Sequence, residues 1–120
     1  MPTFTDPFNQ MTPKRMMTKR ELVRTLRLGI AAEEDATSIY EAQADATDNP
    51  LAKKVLQDIA NEERVHVGEL QRLISILLAD EDGWLADGAA EVNEMAAEVA
   101  AEAAAGAPPG GATVGDLTGE

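Results

Sequence analysis

Between Thr18 and Ala79 apolar residues recur every three or four positions, and Pro50 is the one proline. That is the period of helices that each bury one face. The second half of the segment carries the stripe Ala52, Leu56, Ile59, Glu63, His66, Leu70, Leu73 and Leu77. The first half carries Leu22, Leu26, Gly29, Glu33, Ala36, Tyr40 and Gln43. Between them Thr47, Asp48, Asn49 and Pro50 form a turn, with Asn49 as N-cap and Pro50 at the first helical position. Thr18 followed three residues later by Glu21 has the form of a capping box. These signals predict one helix from Thr18 to about Ala46 and a second from Pro50 to about Ala79, broken by Asp80, Glu81, Asp82 and Gly83. A weaker third helix is expected over Trp84–Ala105, with Leu85, Ala89, Val92, Met95 and Val99 on one face and acids and alanines on the other. Trp84 is expected to anchor it by packing. No segment alternates as a strand does, so the expected class is all-α: an antiparallel two-helix hairpin plus a third C-terminal helix.

The ends differ in kind. Residues 1–17 hold three prolines and no helical period and read as a mobile N-terminal arm; residues 18–105 form the helical domain. Residues 106–112, built of Gly, Ala and Pro, read as a flexible linker to a terminal peptide, 113–120.

Both stripes are interrupted in the middle, at Glu33 on the first helix and at Glu63 and His66 on the second. His66 is the chain's one histidine. When the helices are folded back about the turn, Glu33 lies about 15.5 residues before it and Glu63 and His66 about 14.5 and 17.5 after it. All three therefore sit at one level, roughly 23 Å from the turn. Burying an unpaired carboxylate costs several kcal/mol, and neither stripe contains a Lys or Arg to offset it. A metal ion would. Glu-x-x-His sets a carboxylate and an imidazole one turn apart on one face, and Glu33 supplies a third ligand. This is half of the ligand inventory of a di-iron carboxylate bundle. Two copies related by a two-fold axis would supply four carboxylates and two imidazoles, whose charge matches two divalent ions. Mixed carboxylate and imidazole ligation suits iron or manganese. Tyr40, two turns along from Glu33, reads either as a phenol bonded to a ligand carboxylate or as a core aromatic. Glu34, Asp35, Glu62 and Glu69 read mainly as a solvated acidic face.

The net charge is −12, and it runs from basic at the N-terminus to an acidic last third without a single base. Such a surface excludes nucleic acid as a partner, since phosphate binding needs a basic face. With no cysteine the chain has no disulfide, thiolate zinc site or iron–sulfur cluster. No apolar run approaches a membrane span, and residues 1–10 lack the apolar core of a secretory signal. A cytoplasmic protein without membrane or nucleic-acid partners is therefore expected.

The stretch from Leu26 through Glu33 to Tyr40, the turn from Ala46 to Pro50, and the stretch from Ile59 through Glu63 to His66 resemble the encapsulated ferritins, proteins with half a ferritin bundle per subunit. The resemblance spans about residues 20–105. It implies a ferritin-like four-helix bundle formed on dimerisation, an annular decamer of such dimers, and a di-iron ferroxidase centre at each dimer interface. It implies Glu33, Glu63 and His66 as iron ligands, with two Fe per dimer, and Tyr40 as the tyrosine beside the site. The tryptophan of some members is Ile39 here. Of two outer acids that guide ions in some members, one matches Asp35 and the other falls on Ala32. Thr113, Val114, Gly115, Asp116 and Leu117 resemble the peptide that loads cargo into encapsulin shells, so the resemblance places the chain inside an encapsulin nanocompartment. The expected function is a ferroxidase that oxidises Fe(II) with dioxygen and feeds iron storage in that shell. The rival readings are a di-metal peroxidase or catalase-like enzyme and a non-enzymatic helical cargo adaptor.

Overall fold

A computed structural model describes residues 14–106. They form three helices and, among the described residues, no strand: α1 (Lys19–Asp45), α2 (Pro50–Leu77) and α3 (Glu81–Gly106). The N-terminal residues to 13 and the linker and terminal peptide from 107 onward lie outside the described residues.

The start of α1 is fixed as the sequence specifies. The Thr18 hydroxyl accepts from the backbone N–H of Glu21 at 3.2 Å, and the Glu21 carboxylate accepts from the N–H of Thr18 at 2.9 Å. This box satisfies two of the N–H groups that a helix start leaves without a partner. Arg15, inside the predicted N-terminal arm, adds a two-pronged bridge to Glu21 at 2.8 and 3.0 Å. The Arg15 guanidinium and the Thr18 N–H together hold the Glu21 carboxyl down at about 2. At the turn, the Asn49 side chain accepts from the N–H of Ala52 at 3.0 Å, with Pro50 opening α2. The Lys53 ammonium donates to the carbonyl of Ala44 at 2.7 Å and closes the end of α1.

The chain falls into two compact units, the hairpin up to Ala79 and the segment from Asp80. The hairpin's fully buried line is Val23, Thr37 and Ala44 on α1 against Ala60 and Ile74 on α2, all at multiples of seven residues. This corrects the sequence reading, which set the seam three or four residues away, at Glu33 and Glu63. Those stripes are half-buried instead, with Leu26, Glu33, Tyr40, Leu56, Ile59, Glu63 and Leu70 intermediate and His66 and Leu73 exposed. The reason is geometric. In a four-helix bundle each helix turns one side to its neighbour and another to the bundle axis. A lone hairpin buries only the first side, and the predicted stripes lie beside it, half covered.

The opposite side of the hairpin is tied by polar groups. Arg64 pairs with Glu41 across the helices and donates to the Asn61 side-chain oxygen at 2.6 Å, which also accepts from Gln57 at 3.1 Å. Near the predicted polar layer Gly29 lets the helices approach: a β-carbon there would meet Leu70 Cδ1 at 3.3 Å.

Two boundaries differ from expectation. α2 ends at Leu77, with Leu78 extended, and Glu81, Asp82 and Gly83 begin α3 rather than break a helix. Acids favour a helix start, where they meet the positive end of the dipole. α3 by itself has no buried residue. Trp84 is 68 % exposed, and its indole N–H donates to the Asp80 carboxylate at 3.1 Å, so it is no packing anchor within this unit.

Two outcomes follow. Thr18→Ala should lower hairpin stability in urea unfolding by about 1 kcal/mol. Because the Glu21 carboxyl is held below its ordinary range, its share of the box is full above about pH 4.5 and lost as pH falls toward about 2; the cost of Thr18→Ala should shrink over that window. Gly29→Ala should stay within about 1 kcal/mol of wild type, since better helix propensity offsets a contact that Leu70 can relieve. Gly29→Val should cost about 1–3 kcal/mol by overpacking.

Candidate metal centre

The three polar interruptions meet. Glu33, Glu63 and His66 each offer a ligand atom within 4.8 Å of the others, the one such group among the described residues. His66 Nδ1 lies 3.5 Å from Glu33 Oε2 and 3.6 Å from Glu63 Oε2. Ligands about 2.1 Å from one ion sit about 3 Å apart when adjacent and about 4 Å when opposite. The three donors are therefore spaced to share an ion after a small closing movement.

Each donor is placed by its helix. Glu33 follows Ile30 by three residues and precedes Thr37 by four, one step around α1 from the buried line. Glu63 holds the matching place on α2, between Ala60 and Val67. His66 stands one residue before Val67, about 100° further around the helix. Exposure follows this order: 18 % for the Glu63 side chain, 25 % for Glu33 and 46 % for His66. The imidazole thus points outward from the hairpin while the carboxylates sit deeper. Beneath Glu33 the buried Thr37 hydroxyl donates to its backbone carbonyl at 2.9 Å. That bond satisfies a hydroxyl in the core at the ligand's own turn.

No arginine or lysine reaches the two carboxylates; His66 is their one ion-pair neighbour among the described residues. Arg64, adjacent to Glu63 in sequence, is turned to the far side and held by Glu41. Two partly buried carboxylates and one outward imidazole, without a fixed counter-cation, form a donor set that fits a divalent ion.

Tyr40 is half-buried and makes no hydrogen bond to Glu33 or Glu63 among the described residues. Of the acids nearby, Glu34, Asp35, Glu62 and Glu69 are exposed and join no further ligand cluster among the described residues. Three supporting features were not read from the sequence. Thr37 was in plain view, one turn after Glu33. The Arg64–Glu41 bridge and the Gly29–Leu70 contact join residues far apart in the chain and left no local signal.

No helix among the described residues is long and apolar enough to cross a membrane. The rubrerythrin family profile matches residues 24–104 and so covers most of α1, all of α2 and nearly all of α3. The chain is 47 % identical over 73 residues to the encapsulin nanocompartment cargo protein EncC of Myxococcus xanthus, a match covering 61 % of this chain and 55 % of the relative. It is 41 % identical over 78 residues to the ferritin-like-encapsulin shell fusion protein of Pyrococcus furiosus, covering 65 % of this chain and 23 % of the relative. The chain thus spans about half of the first protein's length and about a quarter of the second's. No solved structure matches at a comparable level. With its three helices and its carboxylate–histidine cluster, the chain belongs to the rubrerythrin family of ferritin-like proteins.

Proposed function

We propose that this chain is a ferroxidase working as cargo of an encapsulin compartment, with Fe(II) and dioxygen as substrates. The observation that carries the proposal is the convergence of Glu33, Glu63 and His66 on the half-buried side of the hairpin. A second copy laid against that side would bury the two stripes, complete a four-helix bundle and double the donors to four carboxylates and two imidazoles. Such a set holds two Fe(II) ions with charge balance. Two Fe(II) give one electron each to dioxygen, which takes up two protons and leaves as hydrogen peroxide, while two Fe(III) depart for mineral.

In this reading Glu63, the deepest donor, lies between the ions, and Glu33 and His66 flank it. The outward position of His66 suits a donor that must meet ions arriving at the join between copies. Tyr40 faces the same side, where its phenol is available to a ligand carboxylate once the second copy closes the site. A lone hairpin has no interior volume for a mineral, so storage falls to an enclosing shell. The kinship with an encapsulin cargo protein and with a ferritin-like–encapsulin fusion supports that assignment. Residues 113–117 are the proposed loading peptide. Val114 and Leu117 would seat in an apolar groove, and several tails on one assembly would add avidity.

Aerobic Fe(II) titration should give a rise in ferric absorbance with the wild-type protein. His66→Ala should slow it about tenfold or more, toward the protein-free rate; an unchanged rate would refute the assignment. Oxygen uptake should accompany the reaction, whereas peroxide consumption without oxygen uptake would favour the peroxidase reading. Deleting residues 113–120 should leave iron oxidation intact and abolish capture by a co-expressed encapsulin shell.

A further inference from the structure

Two flanks run along the seam between α1 and α2, and the metal donors use one of them. On α1, Glu33 and Glu41 stand four residues to either side of the buried Thr37, which sets them about 40° to opposite sides of it around the helix. On α2, Glu63 and Arg64 stand three and four residues beyond the buried Ala60, about 60° to one side of it and about 40° to the other. Glu33 and Glu63 therefore share one flank, Arg64 and Glu41 share the other, and the buried line runs between them. Charge works to open the donor flank: carboxylate oxygens of Glu33 and Glu63 lie within 4.8 Å of each other, and like charges at that range push their helices apart. The Arg64–Glu41 ion pair joins the helices on the opposite flank, starting from the residue next to a donor.

That pair is diagonal. Arg64 stands roughly eight residues, about 12 Å, further from the turn than Glu41 does. Side chains lean toward the N-terminus of their own helix, so Arg64 leans toward the turn and Glu41 leans away from it, toward Arg64. A bond straight across the seam barely changes length when one helix slides along the other. A diagonal bond changes length at once, so it fixes register as well as separation. Arg64 is also braced along α2: its guanidinium donates to the Asn61 side-chain oxygen at 2.6 Å, which accepts from Gln57 at 3.1 Å. The Lys53 bond to the Ala44 carbonyl lies close to the turn and has little leverage on a donor such as Glu63, about 15 Å further along α2. We propose, resting on the metal centre put forward above, that Arg64 and Glu41 are positioning residues for that centre. Their tie holds α1 and α2 at the register and closeness that let Glu33, Glu63 and His66 share one ion. Neither residue touches the ion; both act through the helices that carry its ligands.

The test measures Co(II) binding to the full-length chain by visible absorbance, at one chain concentration and pH, so that no turnover is involved. Arg64→Gln and Glu41→Gln should each raise the Co(II) dissociation constant about threefold to fivefold, the upper range for an exposed ion pair. Combining them should cost no more than either alone, because one tie is lost only once. The charge swap, Glu41→Arg with Arg64→Glu, rebuilds the tie in reverse and should return the constant to within about twofold of wild type. Thr18→Ala weakens α1 at its cap, far from the tie, and should leave Co(II) affinity unchanged; it separates positioning from a general loss of stability. Circular dichroism confirms that each variant keeps its helices. His66→Ala separates the tie from the centre itself. If wild type takes up no Co(II), or His66→Ala binds it as tightly, the centre fails and the tie's role falls with it. If His66→Ala loses Co(II) while both single tie variants stay within about twofold of wild type, the tie alone is overturned. A swap as weak as the single variants, or a Thr18→Ala loss equal to theirs, overturns it as well.

Discussion

Two carboxylates drawn partly out of water with no lysine or arginine beside them among the described residues are the constraint on which the rest of this structure turns. Glu33 and Glu63 sit at the level where leucines would pack best, and each forgoes apolar burial. Their one side-chain neighbour with ion-pair geometry among the described residues is His66, itself near half exposed and about 3.5 Å away. Nearby Arg64 is diverted to Glu41. The hairpin keeps anionic donors together and turns Arg64 away from them, an arrangement that makes sense when the counter-charge is a metal ion.

The same constraint explains the hairpin's asymmetry. One side is tied by Arg64, Glu41, Asn61 and Gln57 and stays at the water surface. The other bears Leu26, Tyr40, Leu56, Leu70 and Leu73, only half covered, around the three donors. In the proposed assembly a second helical pair covers that apolar side and doubles the donor set.

Much of this was legible in the sequence. The capping box at Thr18 and Glu21 and the Asn49–Pro50 start are local chemistry, and they fixed both helix starts. The convergence of Glu33, Glu63 and His66 followed from helical period and distance to the turn alone, because an antiparallel hairpin converts sequence separation into height. What escaped was what height and period do not encode. The buried line through Val23, Thr37, Ala44, Ala60 and Ile74 is displaced from the apolar stripe because a stripe names the side facing the whole bundle, not the side facing the nearest helix. Gly29 against Leu70 and Arg64 against Glu41 depend on that displacement. The acids at 80–82 read as a break, yet acids also open helices, and here Glu81 and Asp82 open α3.

Native mass spectrometry during anaerobic Fe(II) titration tests the shared centre most directly. The account predicts that iron is taken up in pairs and only by assemblies with an even number of chains, reaching one ion per chain. Monomers that bind iron as tightly as the assemblies do, or paired chains that take up none, would contradict it.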